Sequence, residues 1–147
     1  MGFVDESIVV GADVHDAYSL WLDYEGYPRF MASIDTVDVV GYCRLRWRGR
    51  ACGEVLEWES DVVDRVEDTR LRWRATDGRE TGDVDFQKLD ARETLVHYQL
   101  EYEPEVWGVA PEGLRACLHA RVHHDLLAFK ELAEAGAVAT AADERSP

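Results

Sequence analysis

Residues 44–74 read RLRWRGRACGEVLEWESDVVDRVEDTRLRWR, and the period of this stretch is two. Leu45 and Trp47 alternate with Arg44, Arg46 and Arg48. Leu56 and Trp58 alternate with Glu57, Glu59 and Asp61, and Leu71 and Trp73 with Arg70, Arg72 and Arg74. Such alternation puts apolar residues on one face and charges on the other, as in strands half-buried against a core. Paired as an antiparallel meander, the three segments turn Trp47, Trp58 and Trp73 to one face and set a basic, an acidic and a basic row on the other. Facing opposite charges contribute roughly 0.2–1 kcal/mol per pair, and like charges cost as much, so the charge order argues for the strand order. The nine Arg between 44 and 79 are met by eight acids, a local balance of +1. That is a solvated ladder, not a nucleic-acid footprint.

Working outward, the same period predicts segments at about 34–42, 43–49, 54–64, 69–76, 82–88 and 93–103, separated by turn residues. Upstream, the apolar run Ile8-Val9-Val10 predicts a first strand within 3–11. Asp13 then has N-cap chemistry, and Val14, Ala17, Tyr18 and Trp21 follow at helical spacing to about Leu22. Gly26 and Pro28 break the period across 23–31, yet that segment is aromatic enough to lie on the core. Downstream, Leu114, Leu118, Val122, Leu126, Phe129 and Ala133 recur every three or four residues. They predict a long amphipathic helix ending at Gly136, followed by a disordered tail over 137–147. The expected organisation is one domain over 1–136.

The chain has 147 residues, 46% hydrophobic and 31% charged, which suits one soluble domain with a core of its own. A net charge of −14 repels phosphate backbones and anionic headgroups, so nucleic acid is not an expected partner. No apolar run reaches the ~20 residues of a membrane span, and the first residues have no export or acylation pattern. Cys43, Cys52 and Cys117 are odd in number and scattered, and read as reduced thiols of a cytoplasmic protein. Fourteen Arg against two Lys suggest a bacterial source by codon usage alone.

Within this order of elements stand Tyr27-Pro28-Arg29-Phe30-Met31, Leu45-Arg46-Trp47-Arg48, Leu71-Arg72-Trp73-Arg74, Asp77-Gly78 and Gly82-Asp83-Val84-Asp85-Phe86. Leu100-Glu101-Tyr102-Glu103-Pro104 and Asp125-Leu126-Leu127-Ala128-Phe129-Lys130-Glu131 complete the set. Together they resemble the polyketide cyclase/dehydrase branch of the START-like SRPBCC superfamily, over residues 3 to about 134. The resemblance implies an α+β helix-grip fold, a curved antiparallel sheet wrapped around a long C-terminal helix, with a cavity between them for a hydrophobic molecule. By the same resemblance Tyr27 falls near an aromatic gatekeeper, and Trp58 and Ser60 match a tryptophan and a serine on the cavity strand. Two residues further on, where aromatase/cyclases of that family carry an arginine, this chain reads Val62, so their mechanism does not simply carry over.

The candidate walls are Tyr27, Phe30, Met31, Trp47, Trp58, Val62, Trp73, Phe86, Trp107, Leu118 and Val122, with His119 at the boundary of the helix's apolar face. Core packing is the rival role for each aromatic. Ser60, Tyr98 and Tyr102 are inward hydroxyls able to polarise carbonyls. Asp125, in the apolar stripe, is a candidate base, although an i,i+4 pair with Arg121 is the plainer reading. His119 and His123 lie four apart near Cys117 without a HExxH glutamate, so no metal is expected, and no motif calls for a cofactor. His15 and His97 receive no role. Three functions stay open: a cyclase or dehydratase-like enzyme acting on an aromatic or carrier-bound polyketide, a carrier of a lipid, quinone or isoprenoid, and an interaction module whose cavity has collapsed. A homodimer is also left open.

Overall fold

Seven strands form one antiparallel sheet in a computed structural model that describes residues 1–145, with side chains described for residues 1–136. The strands are β1 (Gly2–Val10), β2 (Ile34–Gly41), β3 (Arg44–Ala51), β4 (Glu54–Val66), β5 (Arg70–Ala75), β6 (Glu80–Asp90) and β7 (Glu93–Tyr102). They lie in the order β1-β7-β6-β5-β4-β3-β2, so β2 to β7 form a meander and β1 closes onto β7. Helix α1 (Val14–Leu22) and a 3-10 turn (Tyr24–Arg29) join β1 to β2, and α2 (Pro104–Trp107) leads into α3 (Pro111–Arg145). Asp13 caps α1 as expected, accepting a hydrogen bond from the His15 backbone N–H at 2.7 Å.

The alternation sets the register. Trp47 lies directly opposite Trp58, while Arg44 faces Asp61, Arg46 faces Glu59 and Arg48 faces Glu57. β5 sits differently from the simple ladder: the β4–β5 register sets Trp73 opposite Val62 rather than Trp58, and a one-residue bulge between Val62 and Asp64 keeps Trp73 on the face of Ser60 and Trp58. The β5 arginines consequently look mainly to β6, where Arg70 bonds Asp85 at 3.1 Å and Arg72 bonds Asp83 at 2.8 Å. The ladder therefore has a fourth, acidic row. All three indoles still face the concave side, and the Trp73 ring lies over Gly82, its cross-strand partner, in space that a Cβ would occupy.

Helix α3 lays Leu114, Leu118, Val122, Leu126, Phe129 and Ala133 into the concave face, all buried, as their spacing predicts. Its backbone approaches β1 most extensively, then β7 and α1. The helix does not end at Gly136: the glycine is not among those in the left-handed region that a cap of this kind requires, and the helix continues to Arg145. The expected tail, 137–147, falls on side chains outside the described residues and, beyond Arg145, on backbone outside them as well. No helix among the described residues is long and apolar enough to cross a membrane.

The cysteines are not all free. Cys52, at the β3–β4 hairpin, is joined by a disulfide to Cys117 on α3 with 5.7 Å between their Cα atoms, and Cys43 is the free thiol. Sequence separation of 65 residues and the lack of a paired motif hid this bond, because only the fold brings the hairpin to the helix.

Candidate functional site

The concave face and α3 enclose a continuous aromatic cluster. Trp21, delivered by α1, is its hub, with ring centroids 5.6 Å from Tyr27, 5.0 Å from Phe30, 5.3 Å from Tyr98, 5.3 Å from Phe129 and 6.2 Å from Trp73. Trp47 extends it, stacked on Trp58 at 5.7 Å and 5.9 Å from Trp73. The outer end is closed by Arg79, whose guanidinium stands 5.6 Å from the Trp58 ring and 5.1 Å from that of Trp107.

The candidate wall residues Tyr27, Phe30, Met31, Trp47, Trp58, Trp73, Leu118 and Val122 are all brought to this interior, and Phe86 joins it through Tyr18 at 5.5 Å. Trp107 is buried at the rim, and Val62 is half-buried against the core. His119 is exposed on α3 and does not reach the interior: one position past Leu118, it is rotated about 100° off the buried stripe. Trp21 was not among the candidates, although its helical spacing with Ala17 and Tyr18 marks it as facing inward.

The rings lie against one another, and two cavities lined by described residues open elsewhere. One of about 430 Å³ is bordered by β1, β6 and β7 residues including Ser7, Asp85 and His97. Another, also about 430 Å³, lies between α1, the 3-10 turn and α3, bordered by Asp16, Asp23, Arg29 and Ala133. Among the described residues, the rings between sheet and α3 are packed against one another, with Trp21 at their centre.

Polar groups nevertheless sit inside. Arg121 and Glu80 form a buried fork, Nη1 to Oε1 at 3.2 Å and Nη2 to Oε2 at 3.3 Å. The sequence pointed Arg121 to Asp125 on its own helix. The fold instead presents Glu80 from the start of β6, and Asp125 Oδ2 is left without a hydrogen-bond partner. Arg121 Nε, Tyr98 OH, Trp21 Nε1 and Trp73 Nε1 are likewise unpartnered. The Tyr98 hydroxyl senses the Arg121 charge but makes no hydrogen bond of good geometry with it. Burial, reinforced by Glu80 and opposed by Arg121, pushes the Asp125 carboxyl up to about 7. Burial also raises Tyr98 well above the usual phenol range. For Arg121, burial works against the charge, but Glu80, Tyr98 and Asp125 outweigh it and hold the guanidinium protonated. Neither Arg121 nor Glu80 was a sequence candidate. Arg121 was legible, being three residues past Leu118 and four before Asp125, but Glu80 was not.

Two candidate hydroxyls are less available. Ser60 Oγ accepts a hydrogen bond from Trp47 Nε1 at 2.8 Å, and the Tyr102 ring covers Gly2 at the end of β1. The gatekeeper candidate Tyr27 is fixed as well, its hydroxyl donating to the Trp21 carbonyl oxygen at 2.6 Å. The cysteine and histidines weighed as a metal site separate, because Cys117 is in the disulfide and His123 bonds Glu6 at 2.8 Å. Elsewhere, His15, Glu67 and Asp68 bring ligand atoms within 4.8 Å of one another in an exposed cluster, where His15 bonds Asp68 at 2.8 Å.

Comparison with known proteins agrees with this architecture. The model of the family described as polyketide cyclase/dehydrase and lipid transport matches residues 10–131. An uncharacterized 17.2 kDa protein of Streptomyces lincolnensis is 30% identical over 107 residues, 71% of each chain. Among solved structures, a START superfamily protein from Mycobacterium smegmatis superposes with a TM-score of 0.79 at 17% identity, covering 90% of this chain and 97% of that one. The Zhui aromatase/cyclase of Streptomyces sp. R1128 superposes with a TM-score of 0.74 at 20% identity, covering 90% and 93%. At these identities the two structures are evidence for the helix-grip fold alone.

Proposed function

This chain belongs to the polyketide cyclase/dehydrase and lipid transport family, and we propose that it takes a hydrophobic, carbonyl-bearing small molecule between its sheet and α3 and cyclises or dehydrates it. The observation that carries the reading is the set of buried polar atoms with no partner in the protein: Arg121 Nε, Tyr98 OH, Asp125 Oδ2 and the indole N–H groups of Trp21 and Trp73. Most are donors, so their complement is a ligand rich in acceptor oxygens, and aromatic walls suit its apolar, flattened remainder. A carrier-bound poly-β-ketone has both properties.

The chemistry follows from two groups. With its pKa near 7, Asp125 populates both forms at neutral pH, the condition for acting first as base and then as acid. Its carboxylate takes a proton from a methylene carbon beside a carbonyl. The C–H electron pair becomes a new C=C bond as the C–O bond to a β-hydroxyl breaks, and the hydroxyl leaves as water with the proton Asp125 has carried. Arg121 Nε–H and Tyr98 O–H, both without a hydrogen-bond partner in the protein, would bond the carbonyl oxygen on which negative charge builds. Arg121, from the helix, would thus supply the positive charge that Val62 does not supply from the sheet.

One observation favours a second reading, the module with no passenger: the interior rings described are already in contact with one another. The two readings separate in one experiment. Native mass spectrometry of the protein after incubation with bacterial lysate should show a stoichiometric apolar passenger, and its absence would remove the ligand-binding reading. With a reconstituted synthase releasing a poly-β-ketone, the protein should shift products toward cyclised, dehydrated species, and Asp125→Asn should reduce that rate by about 100-fold or more. An unchanged product spectrum with and without the wild-type protein would leave a carrier.

A further inference from the structure

Helix α3 is gripped unevenly. Its backbone lies along β1, with β7 and α1 next, while β3 and β4 make no comparable backbone approach to it among the described residues. On that sparser side the β3–β4 hairpin reaches the helix through Cys52, bonded to Cys117. Cys117 stands between Leu114 and Leu118 of the buried stripe and one turn before Arg121, so this bond holds the stretch of helix that carries the interior guanidinium. Both cysteines are half-buried rather than enclosed in the core.

We propose that the Cys52–Cys117 bond is a redox latch on the interior: oxidised, it holds the hairpin against α3 and slows ligand exchange, and reduced, it lets the two part. The proposal rests on the reading that the interior takes a ligand. In the reducing step the Sγ–Sγ bond accepts two electrons and two protons to give two thiols, and a dithiol reductant supplies both as it closes to its own disulfide. The side that opens is the one with the fewest backbone contacts to replace, and it leads to Trp47, Trp58 and Arg121. The β1 side is unsuited to the same motion, because Lys130 there bonds the Val9 carbonyl oxygen at 2.9 Å and Glu134 accepts from the Gly11 N–H at 2.8 Å.

The test is uptake of N-phenyl-1-naphthylamine, a neutral apolar fluorophore, followed by stopped flow. The protein carries Cys43→Ser so that no third thiol exchanges, and is prepared without reductant, after dithiothreitol, and as a Cys52→Ser/Cys117→Ser variant. All samples are measured well below the unfolding midpoint of the reduced form. The reduced protein and the double variant should take up probe about tenfold faster than the oxidised protein, equivalent to ~1.4 kcal/mol off the barrier. Equal rates in all three overturn the latch and leave the ligand-binding reading intact. A probe that enters none of them overturns that reading and the latch with it. Free thiols at both Cys52 and Cys117 in unreduced protein, or a reduced form with no cooperative unfolding transition, also overturn the latch, the second because the bond would then be structural.

Discussion

Replacing Asp125 by Asn should stabilise the protein at alkaline pH, against the usual expectation for a buried site. The carboxyl titrates near 7 in the folded protein against an ordinary value of 3.8. A raised acid pKa means that, between these values, the folded state holds a proton that the unfolded state has released. Stability therefore falls as pH rises through this window, and the loss is complete once pH exceeds the folded value. The full difference corresponds to a few kcal/mol, more than half of which accrues between pH 5 and pH 8. Asparagine keeps the shape and cannot ionise. The assay is urea unfolding of wild type and Asp125→Asn at several pH values over that range, reading the difference so that other titrating groups cancel. The variant's advantage should grow by roughly 2–3 kcal/mol from pH 5 to pH 8. A difference that stays flat would show that Asp125 titrates normally and would remove its acid–base role as well.

The fork between Arg121 and Glu80 makes an opposite prediction. Arg121→Met strands the Glu80 charge and should cost about 3–5 kcal/mol in denaturant unfolding, whereas adding Glu80→Leu should recover most of the loss; a double variant no better than the single would contradict the pairing. Gly82→Ala should cost about 1–3 kcal/mol and quench or shift tryptophan fluorescence, since a Cβ there meets the Trp73 ring. Unchanged fluorescence and stability would mean that Trp73 does not lie over β6.

The alternating segments between 34 and 103 contained the meander, because a charge row on the wrong strand would have faced its own sign. What they did not contain is the register: β4 and β5 pair with Trp73 opposite Val62 and a bulge at Val62/Asp64, and β5 and β6 pair with Arg70 opposite Asp85 and Arg72 opposite Asp83. The Asp83-Val84-Asp85-Phe86 alternation held that second acid row in plain view. Interior polar chemistry was harder to read for a physical reason. Arg121 and Asp125 have the spacing of a solvated i,i+4 pair, and only the approach of Glu80, 41 residues away, decides that the guanidinium turns inward. The disulfide depends on the same kind of long-range approach. His119 failed for a local reason, since one residue's rotation off a helical stripe is enough to put a side chain in water.

The packed rings and the unpartnered polar atoms pull in opposite directions. A buried donor or acceptor without a partner costs roughly 1–3 kcal/mol. Arg121 Nε, Tyr98 OH, Asp125 Oδ2 and two indole N–H groups together would then approach the whole stability of an ordinary domain, ~5–15 kcal/mol. A partner carrying acceptor oxygens would satisfy the donors among them. Such a partner binds the folded chain alone and stabilises it as RT ln(1 + [L]/Kd), about 2.7 kcal/mol at a hundredfold excess over Kd. The unfolding midpoint in the presence of candidate ligands is therefore a direct reading of which molecule the interior is built to hold.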